Sequence, residues 1–219
     1  MQDASDKNGA RRQPLSLGWA LPAPVAPRIP GRVMTSDKKP IGWSAIRRRL
    51  NAQAKPALLA LVKDLYDASS SNRDFLHARV QAEAGDGAAK ERYRRTIIEQ
   101  FYPSRGFGKL KLVEARRAIR DYRKATGNLA GTIELMLTYV ENGTQFTREF
   151  GDINETYYNS LESVLHEMTQ LLRKKDPTLY PQFRERIQRL EAHAGHIGWG
   201  YGDYLRDQVG LLETELAGE

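Results

Sequence analysis

The chain contains no cysteine, which excludes disulfide bonds and every metal site built on thiolates. The same absence suits a reducing compartment, because disulfides persist mainly in oxidising ones. No apolar run approaches the roughly 20 residues that a membrane-spanning helix needs. The sequence therefore predicts a cytoplasmic protein that makes no membrane contact.

Several catalytic motifs are also missing. The chain has no Gly-x-Ser-x-Gly sequence, no Walker sequence and no thiol nucleophile. These absences do not exclude catalysis, but no motif argues for it. We therefore favour a protein that is not an enzyme, with no catalytic residue and no cofactor.

The composition is that of a globular chain with a mild excess of basic residues. Its 219 residues are 40% hydrophobic, which is enough to build a buried core. The formal net charge of +7 falls short of what a dedicated nucleic-acid-binding domain usually carries.

Residues 1–41 differ in composition from the rest of the chain. The segment LPAPVAPRIPGR is Pro-rich without a period, and MQDASDKNGARRQ is polar. Neither segment can bury enough apolar surface to offset the entropy lost on ordering. We predict a disordered Pro-rich leader over residues 1–41 and a helical domain over residues 42–219. Met34, which precedes TSDKK, resembles a bacterial translation start, so we expect residues 1–33 to be an upstream extension.

From Trp43 onwards apolar residues recur at helical spacing, with no convincing strand alternation. We predict about eight helices in loose pairs, joined by short turns and without a fixed repeat period. The predicted fold class is all-α, and an irregular multi-helix bundle and a short helical solenoid both remain open. One helix has Pro56 in its first turn and carries Leu58, Leu59, Leu61, Val62, Leu65 and Tyr66.

Local signals place several helix boundaries in the middle of the chain. Gly127 suits the left-handed position that ends a helix, and Asn128 suits the cap of the next one. The segment ENGT, residues 141–144, is expected to end or kink that next helix. Capping boxes are predicted at Ser71 with Asp74 and at Asp152 with Glu155. The second box opens the strongest helix, whose apolar stripe of Leu161, Val164, Leu165, Met168 and Leu172 is predicted to lie in the core.

The stretch HAGHIGWGYGDY, residues 193–204, carries two histidines and four glycines. His193 and His196 are three residues apart, but the glycines between and after them are expected to end the helix and separate the two rings. A phosphate-binding loop would need a preceding strand or a following lysine, and the sequence has neither. We therefore predict no metal site here and interpret the stretch as a joint between two helices. In that joint Trp199 and Tyr201 fill the gap and Asp203 caps the last helix.

Basic residues are concentrated between Lys109 and Lys124, with further arginines upstream. At helical spacing they form a candidate surface for nucleic acid or another anionic partner. A solvated helix face with charges paired to neighbouring acids is the interpretation we prefer. The candidate contact residues are Arg92, Arg95, Arg116, Arg117, Arg120, Arg123 and Lys124.

An acidic and aromatic segment, ENGTQFTREFGDINETYY, covers residues 141–158. Its carboxylates could form a pocket, although no Glu-x-x-His pair of the kind found in carboxylate-bridged metal proteins is present. The second alternative function is therefore a hydrolase or metal protein that uses histidines and carboxylates of residues 141–204.

Four segments resemble an uncharacterised bacterial family of helical domains of unknown function. They are LVKDLYDASSSNRDFLHAR, KLVEARRAIRDYRKATG, IELMLTYVENGTQFTREFGDINETYYNSL and HIGWGYGDYL. The resemblance covers most of the chain from Leu58 to Leu216, and it implies a helical bacterial cytoplasmic protein without implying an activity.

The leading hypothesis is a non-enzymatic helical scaffold or protein-interaction module, whose partner is another protein and whose oligomeric state is open. The first alternative is a nucleic-acid-associated protein that uses the Arg-rich helix over residues 109–124. Exposed apolar surface would favour the leading hypothesis, whereas a continuous basic face would favour the first alternative. A closed pocket with converging histidines and carboxylates would favour the second.

Overall fold

The computed structural model describes residues 41–81 and 87–216. Within these residues the chain forms nine α-helices, one short 3-10 turn at Pro177–Leu179 and no strand, which confirms the all-α fold class. The helices are α1 (Trp43–Asn51), α2 (Lys55–Ala68), α3 (Ser70–Gln81), α4 (Gly87–Phe101), α5 (Leu112–Thr126), α6 (Leu129–Phe150), α7 (Glu155–Lys174), α8 (Tyr180–Ala194) and α9 (Tyr201–Leu216).

The chain divides into two compact units, Met1–Arg49 and Leu50–Glu219. Of the first unit only residues 41–49 are described, and most of them belong to α1. The predicted leader, residues 1–41, lies outside the described residues except for Ile41. The second unit contains helices α2 to α9.

Helix α6 is the centre of the second unit. It is apolar around most of its circumference, as expected for a helix that is buried on all sides. It packs against α4, α5, α7 and α8, so the arrangement is a bundle around a central helix. In a solenoid each repeat would contact only its neighbours along the chain. The predicted core stripe of α7 faces this centre, and Leu161, Val164, Leu165, Met168 and Leu172 are all buried.

The prediction that ENGT ends a helix is wrong, because α6 continues through residues 141–144 to Phe150. Gly143 lets α7 approach closely, since a Cβ atom at this position would overlap Leu161 Cδ2. The neighbouring polar side chains bond within the bundle. Asn142 donates to the carbonyl of Thr138, and the Thr144 hydroxyl bonds to that of Tyr201. Tertiary packing therefore overrides the low helix propensity of Asn and Gly.

Both boundary signals between α5 and α6 are confirmed. Gly127 adopts the left-handed conformation with φ of 68°, and its N–H donates to the carbonyl of Arg123. The Asn128 side chain caps α6 by accepting a hydrogen bond from the N–H of Gly131 at 2.8 Å.

Both predicted capping boxes are wrong. Helix α3 is capped by Ser69, whose Oγ accepts from the N–H of Asn72 at 3.1 Å, while Ser71 lies inside the helix. Helix α7 is capped by Asn154, whose Oδ1 accepts from the N–H of Tyr157 at 2.9 Å. Asp152 instead accepts a hydrogen bond from the hydroxyl of Tyr158 at 2.7 Å. In both cases a nearer polar residue outcompetes the one chosen by spacing alone.

None of the helices in the described residues is both long enough and apolar enough to cross a lipid bilayer.

Candidate functional site

Helix α2 of the second unit exposes an unusually large apolar surface. At about 100° per residue its large apolar side chains occupy an arc of roughly 160°, which is wider than the stripe most surface helices bury. Pro56 lies in its first turn as predicted. Among the described helices, α3 is the only one that packs extensively against α2. One neighbour cannot cover so wide an arc, and the exposed fractions are 59% for Leu59, 40% for Leu61, 41% for Val62 and 50% for Leu65.

A groove runs between α2 and α3 with a volume of about 400 Å³. Its base includes Tyr66 and His77, whose rings stack with centroids 5.6 Å apart and whose Oη and Nε2 atoms are 3.1 Å apart. Leu76 and Val80 continue the apolar lining on α3. We call the exposed residues Leu59, Leu61, Val62 and Leu65 of α2, together with Leu76 and Val80 of α3, the hairpin surface.

Hydrogen bonds at the α2–α3 junction fix the angle between the two helices. Asn72 donates from its amide to the carbonyl of Leu65 at 2.7 Å, and Arg73 donates to that of Tyr66 at 3.5 Å. These bonds satisfy carbonyls of the last turn of α2 that have no partner within the helix. The hairpin surface is therefore held by a preformed scaffold.

Helix α3 in turn anchors the hairpin to the bundle through α5. Ala78 of α3 is fully buried, and Arg79 donates to the backbone carbonyl of Lys124. Two cations lie over the Phe75 ring, with the Arg79 guanidinium 5.5 Å and the Lys124 ammonium 6.0 Å from its centroid. Lys124, a candidate anion contact from sequence, thus lies against an aromatic ring of α3.

The predicted basic residues are divided among several neighbours. Arg117 lies 3.5 Å from Asp121, and both line a polar pocket with Asp74 and Tyr93. Burial, and next the charge of Asp121, raise the pKa of Tyr93 to about 12. Arg92 forms an ion pair with Asp74 at 3.4 Å, on the side of α4 that faces α3.

A second group of basic residues points to the other side of α5, towards α7. Arg116, Arg120 and Arg123 line one cavity there. Arg95 is exposed on α4. The structure therefore brings together three of the seven predicted contact residues. It places Arg92 and Arg117 beside aspartates and Lys124 beside an aromatic ring.

The glycine-rich stretch joins α8 to α9, as predicted. A Cβ atom at Gly202 would lie 2.6 Å from the carbonyl oxygen of Ala194, so glycine permits this close approach of the helix ends. Tyr201 is fully buried in the joint, but Trp199 is exposed and stacks on Tyr158 with ring centroids 6.3 Å apart. The predicted cap role of Asp203 is wrong, because this residue lies within α9 and pairs with Arg206.

The histidines and carboxylates of residues 141–204 are dispersed. Glu141 pairs with Arg186, and Glu149 accepts a hydrogen bond from Tyr102. His193 and His196 are both exposed. In the part of the chain that the structure describes, no three histidine or acidic side chains are arranged to hold a metal ion.

Buried tyrosines fill the space between α6, α7 and α9. The Tyr157 hydroxyl donates to the carbonyl of Gly143 at 2.7 Å, and that of Tyr158 lies 2.6 Å from the Thr147 hydroxyl. Burial raises the pKa of Tyr157 and of Tyr201, because an ionised phenolate is poorly solvated in the core. Their geometry is that of a structural hydrogen-bond network in the core.

No family model matches the chain, and neither a curated protein nor a solved structure matches it significantly. The resemblance to a bacterial helical family remains a sequence-based expectation. The function of the chain is therefore inferred from its own surfaces.

Proposed function

We propose that the protein is a non-enzymatic helical interaction module and that the hairpin surface is its docking site. The observation that carries this proposal is the exposure of four large aliphatic side chains side by side on α2. Single exposed apolar residues are common on protein surfaces, but contiguous apolar patches with a polar rim are typical of interaction sites. A cytoplasmic and bacterial setting belongs to the same proposal, supported by the lack of cysteine and by the family resemblance.

The apolar area of this surface sets an upper limit on its affinity. Complete burial of a Leu or Val side chain contributes about 1.5–3 kcal/mol, so covering four half-exposed ones contributes about 3–6 kcal/mol. An equally apolar partner would double this figure to about 6–12 kcal/mol. Association costs about 4–15 kcal/mol in lost freedom of motion. The largest gain exceeds the smallest cost by about 8 kcal/mol, so a dissociation constant of about 1 µM is the tightest that this surface supports.

The occupant we propose is a second copy of the chain, packed through antiparallel α2 helices. At about 100° per residue, Asp64 and Asp67 lie about 140–160° from the centre of the apolar arc, so their charges stay outside a contact between two α2 helices. Lys63 pairs with Asp67 away from that centre as well. An apolar surface that packs on its own two-fold copy buries the same side chains on both chains. Two-fold dimers are also the commonest protein assemblies.

Sedimentation velocity over a range of concentrations tests the proposal. The wild-type chain is expected to form a dimer between about 1 µM and 1 mM. Leu59→Glu combined with Leu65→Glu should abolish the dimer, since charge in an apolar interface is not compensated. Leu211→Glu is the matched control, because Leu211 is a comparably exposed leucine on α9 and its replacement should leave the dimer intact.

Asp64→Lys provides a second control, because Asp64 lies outside the apolar arc and its replacement should leave the dimer intact. A chain that stays monomeric at about 1 mM would overturn the proposal. A dimer that survives both leucine replacements would show that another surface mediates association.

A further inference from the structure

A small cavity lies between α5 and α7. Its volume is about 190 Å³, and it is lined by Arg116, Ile119, Arg120, Arg123, Met136, Val164 and Glu167. The floor is apolar, since Ile119, Met136 and Val164 are buried core residues. The rim is formed by three arginines from successive turns of one helix, with Glu167 facing them from α7.

The charges of this cavity are only partly compensated. Arg123 forms an ion pair with Glu167 at 2.8 Å. Arg116 donates at 3.1 Å to the hydroxyl of Ser163, which is a neutral partner. Arg120 makes neither a hydrogen bond nor an ion pair with any residue that the structure describes. Three guanidinium groups and one carboxylate leave a net charge of +2 around the opening.

The guanidinium groups are suited to a phosphoryl group. Arginine presents planar, paired N–H donors that match phosphate oxygens, and it stays charged at all physiological pH values. A phosphate monoester carries a charge of about −1.5 to −2 at pH 7, which balances the net charge of the rim. A single carboxylate would balance only half of it.

The size and the floor of the cavity restrict the rest of the ligand. Pockets for drug-sized ligands usually measure about 300–1,000 Å³, so this cavity is too small to enclose a nucleotide. Its apolar floor fits a short carbon chain behind the phosphoryl group. We propose that this cavity is a binding site for the phosphate monoester of a small organic molecule, a role independent of the hairpin surface.

Isothermal titration calorimetry with n-propyl phosphate and with inorganic phosphate tests the site. Both ligands are expected to bind with a saturable stoichiometry of one per chain, the propyl ester more tightly because its carbon chain covers the apolar floor. Neutral 1-propanol is not expected to bind. Inorganic phosphate that binds as tightly as the ester would overturn the assignment of an organic phosphate. Arg120→Gln should weaken binding by about tenfold or more, which is typical for losing a hydrogen bond between charged groups. Circular dichroism establishes that the variant keeps its helical fold.

Arg117→Gln is the matched control. Arg117 lies on the same helix, but it faces Asp121 and a different pocket, so its loss should change the affinity by less than about twofold. Equal losses in the two variants would mean that the general positive charge of α5, and not the cavity, attracts the anion. No saturable binding at about 10 mM ligand would likewise overturn the proposal.

A short single-stranded oligonucleotide provides the last arm of the experiment. Binding of the oligonucleotide without binding of either small phosphate would overturn the proposal and favour a nucleic-acid surface on α5. Binding of the small phosphates with little or no binding of the oligonucleotide at the same salt concentration would support it, because one small cavity holds one phosphoryl group and provides no row of contacts along a phosphate backbone.

Discussion

Alanine at position 143 introduces a methyl group where α6 and α7 touch. The new Cβ atom would overlap Leu161 Cδ2 and would lie 3.1 Å from Leu161 Cδ1. The contact with Cδ2 is shorter than any that a Cβ atom makes in folded proteins, so the Leu161 side chain has to move. Leu161 is fully buried, and the surrounding core is close-packed, so its movement disturbs further side chains.

The expected change in the free energy of unfolding is the sum of two opposing contributions. Alanine in place of glycine within a helix gains about 1 kcal/mol, and overpacking of a core costs about 1–3 kcal/mol. Gly143→Ala is therefore expected to lower the free energy of unfolding by about 0–2 kcal/mol. Leu161→Ala alone should lower it by about 2–5 kcal/mol. In the double variant the shortened side chain makes room for the new methyl group, so the loss should be smaller than the sum by about 0.5–3 kcal/mol.

Denaturant unfolding followed by circular dichroism measures all four free energies by linear extrapolation. Gly210→Ala is the control, because Gly210 lies in α9 and a Cβ atom there would meet nothing within 4 Å. This control should gain about 0.5–1 kcal/mol. A Gly143→Ala variant that is stabilised as much as the control would refute the close contact between α6 and α7. Changes at Gly143 and Leu161 that add within about 0.5 kcal/mol, the limit for independent sites, would refute it as well.

Arg186→Ala should lower the free energy of unfolding by roughly 1.5–3 kcal/mol. Arg186 bonds to both Glu141 and Glu134 at 2.6–2.9 Å, and the replacement leaves those carboxylates without their partner. Denaturant unfolding measures the change, and an unchanged free energy of unfolding would contradict the prediction. Stability should fall as pH rises from 10 towards 12, because the pKa of Tyr93 is raised to about 12 while that of an unfolded tyrosine stays at 10.0. Over this pH range the unfolded state binds fewer protons than the native state, so a rise in pH favours unfolding. The melting temperature should therefore fall less steeply with pH for Tyr93→Phe than for the wild type. Elemental analysis should find no stoichiometric zinc, and one zinc per chain that His196→Ala removes would contradict the dispersed geometry of the histidines.

The structural features that can be predicted from the sequence are those that depend on a few neighbouring residues. Gly127 is an example, since a left-handed residue at the end of a helix requires only the missing side chain of glycine. The apolar stripe of α7 is another, because five large residues at helical spacing have few alternatives to burial. The segment ENGT misleads because its conformation depends on Leu161, a residue from another helix that the local sequence does not reveal.

Burial of α2 cannot be decided from its periodicity. Its apolar residues have the same spacing as those of α7, and both helices are amphipathic. The number of neighbours separates them, because α7 packs against both α6 and α9, whereas α3 alone packs extensively against α2 among the described helices. The width of the apolar arc is the signal that the sequence does contain, since an arc of roughly 160° exceeds what one packed neighbour covers.

The division of the arginines on α5 is partly contained in the sequence. At about 100° per residue, Arg116, Arg120 and Arg123 fall within an arc of roughly 60°, and Arg117 and Lys124 lie about 80–100° from Arg116. Lys124 is only about 40° from Arg120, however, so helical spacing alone does not separate the two groups. It also does not supply the side chains opposite each group. One group faces a cavity with a single carboxylate from α7, and the other faces Asp121 and the aromatic ring of Phe75. Because only the first group keeps uncompensated charge around a concave surface, the basic segment of this chain suits a compact anion better than an extended polyanion.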